Sequence, residues 1–503
     1  MNPSLKRIDK RPTGIPGFDQ VAQGGIPSGR TTLVSGTSGS AKTVFAGQFL
    51  YTGVTQFDEN GVFVTFEESP IEIRRNLSSF GWDIESLEKE GKWAFVDSTP
   101  QFGSETVVAG YYDLGALLAR VEHAIKKVGA TRVAIDSIGP IFAQLPDAHT
   151  VRSELLRLAE VLRVMGVTTV MTAERSSDFG EVARHGVEEF VSDAVVILRN
   201  VLEDEKRRRT IEILKFRGAG HGKGEFPFTI VPETGIEVIP LSAIELTQRS
   251  STTRIPSGVD ELDDMCGGGF FRDSVILVSG ATGTGKTLMV TEFLDGGTEN
   301  GERSLLLAFE ESRGQLVRNA QGWGVDFVSA EEDGLLKIEC CYPEVMSLED
   351  HLIRIKTILD EFKPQRVAVD SLSALERVST VKGYREFVIG LTATIKERET
   401  AGLFTSTTPA ITGGTSITEG HISTITDSII LLRYVEIFGE IRRAVAVLKM
   451  RGSHHDKVIR EFTIDGDGMH LTKTFRNVTG ILAGHPQSQS MDEIARIESM
   501  FES

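Results

Sequence analysis

The chain has 503 residues, 40% of them hydrophobic and 25% charged, with a formal net charge of −17. That length exceeds one ordinary core and predicts two domains of roughly 200 to 250 residues each. The acidic balance argues against nucleic acid as a partner, because non-specific attraction to polyphosphate needs a basic surface, and no run approaches the ~18 apolar residues of a membrane helix.

The opening MNPSLKRIDKRPTG lacks the apolar stretch of a secretory signal, and Cys266, Cys340 and Cys341 are too few for a disulfide framework. A cytoplasmic location is the expectation. Cys340 and Cys341 lack the C-x-x-C spacing of a metal site and read as small core residues.

The first motif is Gly36-Thr37-Ser38-Gly39-Ser40-Ala41-Lys42-Thr43, after a strand-like TTLVS. It is a phosphate-binding loop with alanine at the second glycine. A methyl group there costs on the order of 1 kcal/mol if the backbone needs positive φ. Next come the adjacent acids Glu67 and Glu68 in VTFEES, then Asp136 at the end of RVAIDS. In the following stretch Val151, Leu155, Leu158, Val161 and Leu162 recur at helical spacing before the nearly all-apolar VTTVMTAE. Lys206 to Arg209 follow the acidic EDE and read as a solvated hairpin tip. Lys215, Arg217 and His221 close the first half, the histidine reading as a hydrogen-bonded loop residue.

The polar end of VIPLSAIELTQRSSTTR suggests a linker at 241–252, separating a first domain at 1–240 from a second at 253–475. The second half opens with Gly280-Ala281-Thr282-Gly283-Thr284-Gly285-Lys286-Thr287, which fits G-x-x-x-x-G-K-[ST] fully between a strand-like SVILVS and a helix-like LMVTEFLDGG. The letters have chemical reasons. Glycines let successive N–H groups turn to the phosphates at a helix N-terminus, Lys286 neutralises β/γ charge, and the Thr287 hydroxyl ligates Mg²⁺. Glu310 and Glu311 in LAFEES and Asp370 in RVAVDS repeat the first half's order.

An apolar strand that ends in aspartate holds a magnesium shell, which assigns Asp136 and Asp370 with Thr43 and Thr287 to the metal. The paired glutamates supply the carboxylate that orients an attacking water or hydroxyl and accepts its proton. Neighbouring strand residues face opposite ways, so one of each pair is the base and the other orients it; the sequence leaves open which. No N-K-x-D guanine-reading tetrad is present, favouring ATP over GTP.

Five paired segments in the same order make the halves a duplication, so each should be an α/β domain of the P-loop type: a mostly parallel sheet flanked by helices. One stretch breaks the symmetry. From Thr405 to Ser428 half the residues are serine or threonine. Aligning Asp427 with Asp193 also pairs Lys449 with Lys215, and it sets Ser423 and Thr424 against Glu189 and Phe190. Only the second half has hydroxyls at those two places.

The doubled P-loops, the paired FEES, HISTITD and KMRGSHHDK together resemble the KaiC family of circadian-clock ATPases and autokinases, among the RecA-like ATPases, over about residues 10–485. The resemblance implies a homohexamer of two stacked rings with ATP at every subunit boundary. The first ring would hydrolyse ATP slowly and receive KaiB-like partners, and the second would phosphorylate itself reversibly. It makes Ser423 and Thr424 the phosphoacceptors, with Thr418 an accessory hydroxyl. It also sends Lys215 and Arg217, and Lys449 and Arg451, to a neighbour's phosphates, with His221 and His455 nearby. Such cations act like arginine fingers on charge that develops in transfer.

Three positions depart from the family: Ala41, Glu419 where aspartate is usual, and the ending MDEIARIESMFES. The ending counts against dependence on a KaiA-like protein. Its stripe of Met491, Ile494, Ile497 and Met500 suggests that the tail, 476–503, is a helix that could join hexamers. Two other readings fit a doubled ATPase: a RecA or RadA-type DNA-dependent ATPase, although no zinc ribbon or helix-hairpin-helix segment is visible, and an ATP-gated scaffold that transfers nothing.

Overall fold

The β-branched, apolar runs picked out above become buried strands, and the amphipathic stretches between them become helices on the sheet faces. The computed structural model describes residues 8–99, 114–142, 147–183, 191–203, 206–240, 250–408, 422, 424–437, 439–475, 478–481 and 487–488. It divides into two compact units, Met1–Ile244 and Glu245–Ser503. Most of the expected linker, most of the hydroxyl-rich run and the tail from 489 lie outside the described residues.

The first unit carries a nine-stranded sheet in the order Gly235–Val238, Glu225–Val231, Lys206–Phe216, Ala194–Glu203, Thr31–Gly36, Thr168–Glu174, Arg132–Asp136, Gly61–Thr65, Trp93–Asp97. The six strands from Ala194–Glu203 onward are parallel, and the other three add antiparallel at one edge. The second unit repeats this plan, with Val275–Gly280 central between Ala401–Thr407 and Ser428–Ile437. Both central strands are buried along their whole length, as strands covered on two faces must be.

Alternate residues feed separate cores. Leu33, Val62, Val64 and Ile135 pack on one face of the first sheet, while Val34, Phe63, Ala134 and Val170 pack on the other. The helix read from the 151–162 stripe spans Ala148–Val164, capped by Asp147, and it buries Val151, Leu155, Leu158 and Leu162. Its Val161 is partly buried on the same core. Lys206–Arg209 begin the second strand of a hairpin whose first strand is Ala194–Glu203. Cys340 and Cys341 are half-buried; Cys340 ends the edge strand Leu336–Cys340 and packs against the core, so the core reading holds in part for it and not for Cys341.

One side chain in each unit binds the P-loop helix to the sheet. Arg366, fully buried, starts the strand Arg366–Asp370 and donates to Phe293 O and Pro256 O, each at 2.8 Å, and to Glu302 at 2.7 Å. Arg132 does the same with Phe49 O at 2.8 Å, Pro12 O at 2.9 Å and Glu59 at 2.6 Å. A Cβ on Gly297 would lie 2.6 Å from the Arg366 side chain, so the P-loop helix carries glycine where the arginine crosses it. Truncating one member of such a buried pair leaves desolvated partners. Arg366→Ala is expected to destabilise the second unit by about 3 kcal/mol, read as a lowered urea midpoint.

Candidate functional site

In each unit the loop after the central strand delivers the P-loop to the helices Lys42–Phe57 and Lys286–Thr298. The second loop turns through left-handed Gly283 and Gly285, at φ 79° and 110°. The first uses Gly39 and Ala41, at φ 74° and 75°. Ala41 therefore sits in the region that disfavours a Cβ. At Gly285 a Cβ would also stand 3.1 Å from the end of the Ile464 side chain, so that position is crowded as well as disfavoured by its dihedral.

The two lysines fold back over their loops. Lys286 donates to Gly280 O and Ala281 O at 2.9 Å, and Lys42 donates to Gly36 O at 3.0 Å and Thr37 O at 2.9 Å. Burial lowers the pKa of both. Asp370 and Glu310 oppose this for Lys286, and Glu174, Asp136 and Glu67 oppose it for Lys42. Lys286 is buried and Lys42 half-buried, and each ammonium faces carboxylates, a place for polyphosphate charge.

Register brings the acids together. Ala308 pairs with Asp370 and Thr65 with Asp136, so the glutamates just past one strand end lie beside the aspartate of the next. Thr287 Oγ1 donates to Asp370 Oδ2 at 2.8 Å, and Thr405 Oγ1 to Oδ1 at 2.5 Å. In the first unit Thr43 and Thr172 make the corresponding bonds to Asp136, whose pKa burial raises against them. In both units the peptide after the aspartate, Asp136–Ser137 or Asp370–Ser371, is cis. A hydroxyl and a carboxylate in contact at the lip of a phosphate loop are the donor set magnesium takes with substrate phosphates, so Thr287 with Asp370, and Thr43 with Asp136, would hold it.

The glutamates of each pair have different partners. Ser371 Oγ donates to Glu310 at 2.8 Å, and Ser137 Oγ to Glu67 at 2.6 Å. The second glutamate turns to a helix: Asn319 donates to Glu311 at 3.0 Å, and Asn76 to Glu68 at 2.8 Å. Burial raises the pKa of Glu68 and Glu311, with Asp136 and Asp370 adding to it. Glu310 goes the other way. Desolvation would raise it, yet hydrogen bonds from Arg377 and Ser371 hold it below the usual carboxylate range.

A cavity of about 510 Å³ opens here in the second unit, within the usual size of a small-molecule site. It is lined by Thr282, Gly283, Lys286, Thr287, both glutamates and Asp370, and also by Trp323, Arg377, Asn319 and Arg443. Those last four, with Ser137, Ser371, Asn76, Thr172 and Thr405, were not singled out from sequence. The repeat held a signal for the serines, asparagines and threonines, which recur in aligned positions. Arg377 had none, since alanine stands at its place in the first half.

Lys449, Arg451 and His455 do not line that cavity. Lys449 donates to Thr426 O at 2.6 Å and Arg451 to Thr424 O at 2.8 Å, so they hold the backbone at 424 and 426. Thr424 is exposed; Ser423, Thr418 and Glu419 lie outside the described residues, as do Glu189 and Phe190. In the first unit Arg217 N donates to Asp193 O at 2.9 Å, Lys215 pairs across the hairpin with Val195, and His221 stacks on Phe216. Burial lowers the pKa of His221, consistent with a loop histidine.

Comparison with known proteins decides the family. A family model described as "ATPase: KaiC" matches residues 11–243 and 255–474, one match for each repeat. The chain belongs to the KaiC family. It is 65% identical over 495 residues to a protein named circadian clock protein KaiC3 from Synechocystis sp., covering 98% of each chain. It is 57% identical over 497 residues to the circadian clock oscillator protein KaiC of Thermostichus vulcanus, covering 98% of this chain and 95% of the relative. The KaiC of Prochlorococcus marinus strain MIT 9313 is 56% identical over 492 residues, with 98% of each chain covered. The α/β architecture read from the repeat is thus that of two tandem KaiC ATPase domains. Among the described residues no helix is long and apolar enough to cross a membrane.

The left-handed Ala41 sets an energetic expectation for this KaiC relative. Ala41→Gly should stabilise the first unit by about 1 kcal/mol by removing the Cβ penalty, seen as a raised melting temperature, with the reverse change at Gly285 costing more.

Proposed function

We propose that this chain is an ATP-driven clock protein that hydrolyses ATP slowly in its first repeat and reversibly phosphorylates itself in its second. The observation that carries the reading is an asymmetry between two sites of one plan. Both gather a P-loop lysine, a threonine–aspartate pair and a glutamate, but only the second repeat has hydroxyl-bearing residues at 423 and 424.

Glu310 and Glu67 take the base role in this reading. They act on the P-loop lysine and bond the serine after the metal-site aspartate, whereas Glu311 and Glu68 face an asparagine and orient the site. In the second repeat the acceptor oxygen of Ser423 or Thr424 bonds to the γ-phosphorus, its proton passes to Glu310, and the bond to the β-phosphate oxygen breaks, releasing ADP. In the first repeat a water takes the place of the hydroxyl and Glu67 takes its proton. Lys286 and Lys42 would neutralise the phosphate charge during the step. Magnesium held by the threonine–aspartate pairs would supply further charge neutralisation.

A homohexamer belongs to the same reading. Lys449 and Arg451 lie beside their own acceptor segment and outside their own cavity, which suits delivery of segment and cations together to a neighbour's ATP. A phosphate there would add nearly two negative charges next to Asp427 and Glu419 and so alter subunit packing. A KaiB-like partner on the first repeat, independence from a KaiA-like protein and tail-mediated pairing of hexamers complete the proposal.

Phosphopeptide mapping over time with ATP and magnesium tests it. Phosphate should appear within 418–424 and be lost in a Ser423→Ala/Thr424→Ala variant. Glu310→Gln should slow incorporation about a hundredfold or more, with Glu311→Gln less severe. Phosphate mainly elsewhere, or ATPase activity that rises manyfold with single-stranded DNA, would sink the reading.

A further inference from the structure

Among the charged residues that distinguish the two sites, Arg377 is the one bonded to a glutamate of the pair. Arg377 ends the short helix Leu372–Arg377, and its Nη2 donates to Glu310 Oε1 at 2.5 Å. With Ser371 on Oε2, both oxygens of that carboxylate are engaged. In the first repeat the residue seven places beyond the strand-end aspartate is Ala143, where the second has Arg377. There Ser137 bonds Glu67 Oε1, and among the described residues no lysine or arginine forms an ion pair with Glu67.

We propose that Arg377 sets the acceptor specificity of the second site, holding back water and leaving the protein hydroxyl as the favoured nucleophile. The inference rests on Glu310 being the base of that site. A water has little to position it except the carboxylate that accepts its proton. A guanidinium bonded to Oε1 occupies the face on which the water would be held and weakens the carboxylate as an acceptor. A serine or threonine hydroxyl arrives on a backbone that is itself held, here by Lys449 and Arg451, so its attack geometry does not depend on a second bond to Glu310. The loss of positioning therefore falls on hydrolysis more than on transfer. In both reactions the new oxygen–phosphorus bond forms as the bond to ADP breaks and the proton goes to Glu310; only the source of the oxygen differs.

The Arg377 side chain is 63% exposed, so its removal leaves the core untouched. It is a positioning residue, and the test separates that role from a structural one. In full-length protein carrying Glu67→Gln and Glu68→Gln to silence the first site, initial phosphate release and phosphate incorporation are measured together for Arg377, Arg377→Ala and Arg377→Lys. Arg377→Ala should raise phosphate release at least about threefold, with KM for ATP unchanged and the ratio of incorporation to release lowered; Arg377→Lys, retaining a cation, should restore much of the parental ratio. Ala143→Arg in the otherwise native chain should slow the first site.

Release by Arg377→Ala at or below the parental rate would overturn the proposal. If the parent incorporates no phosphate at all, the autokinase reading fails, while the effect of Arg377 on water is still read from release. If the parent incorporates phosphate and the ratio does not move, the inference about Arg377 fails alone.

Discussion

Everything at the two sites depends on parallel strand register. Asp136 and Asp370 end strands that pair residue for residue with Gly61–Thr65 and Ser304–Ala308, and the latter two run straight into the paired glutamates. A slip of one residue would turn each aspartate to the opposite sheet face and move it away from the P-loop threonine. Burial of the strands on both faces makes that slip costly, because it would drive Ile135 and Ala134, or Val369 and Ala368, into the wrong cores. Arg132 and Arg366 then lock the P-loop helix against the same strands. The chemistry is precise because the core beneath it has one arrangement.

On this shared frame the repeats have diverged in a few side chains with distinct physical effects. Ala41 keeps a left-handed turn that glycine fills in the second copy, at a modest conformational cost. Glu174 ends the strand beside the first P-loop where Thr407 ends it in the second, adding a third carboxylate around Lys42. Arg377 pairs with Glu310 and helps to hold its carboxyl ionised, where the first repeat has Ala143 at the aligned place in sequence. Each change acts on charge or on one backbone dihedral and leaves the sheet as it was. One fold can in this way carry two nucleotide sites of different character.

Much of the site was legible because its residues are dictated by backbone geometry and phosphate chemistry. Glycines at positive φ, a lysine and hydroxyl at the helix start, and carboxylates at strand ends form a pattern, and its repetition in one chain removed most of the ambiguity. The different surroundings of the two glutamates in each pair were not legible. Glu310 and Glu311 are neighbours of the same type, and only their partners, Ser371 and Arg377 against Asn319, tell them apart. The half-burial of Cys340 and Cys341 was not legible for a related reason: composition does not say that Leu336–Cys340 is an edge strand.

The sequence by itself determined the duplication, the α/β class, the two phosphate loops and the uneven distribution of hydroxyls between the halves, since these follow from local periodicity and short motifs. Only the tertiary structure decided which glutamate bonds the serine after the strand-end aspartate, that Lys449 and Arg451 grip the backbone at 426 and 424, and that Arg377 reaches Glu310 across 67 residues of chain. Those contacts join elements far apart in sequence. Their energies depend on distance and burial, which no local pattern encodes.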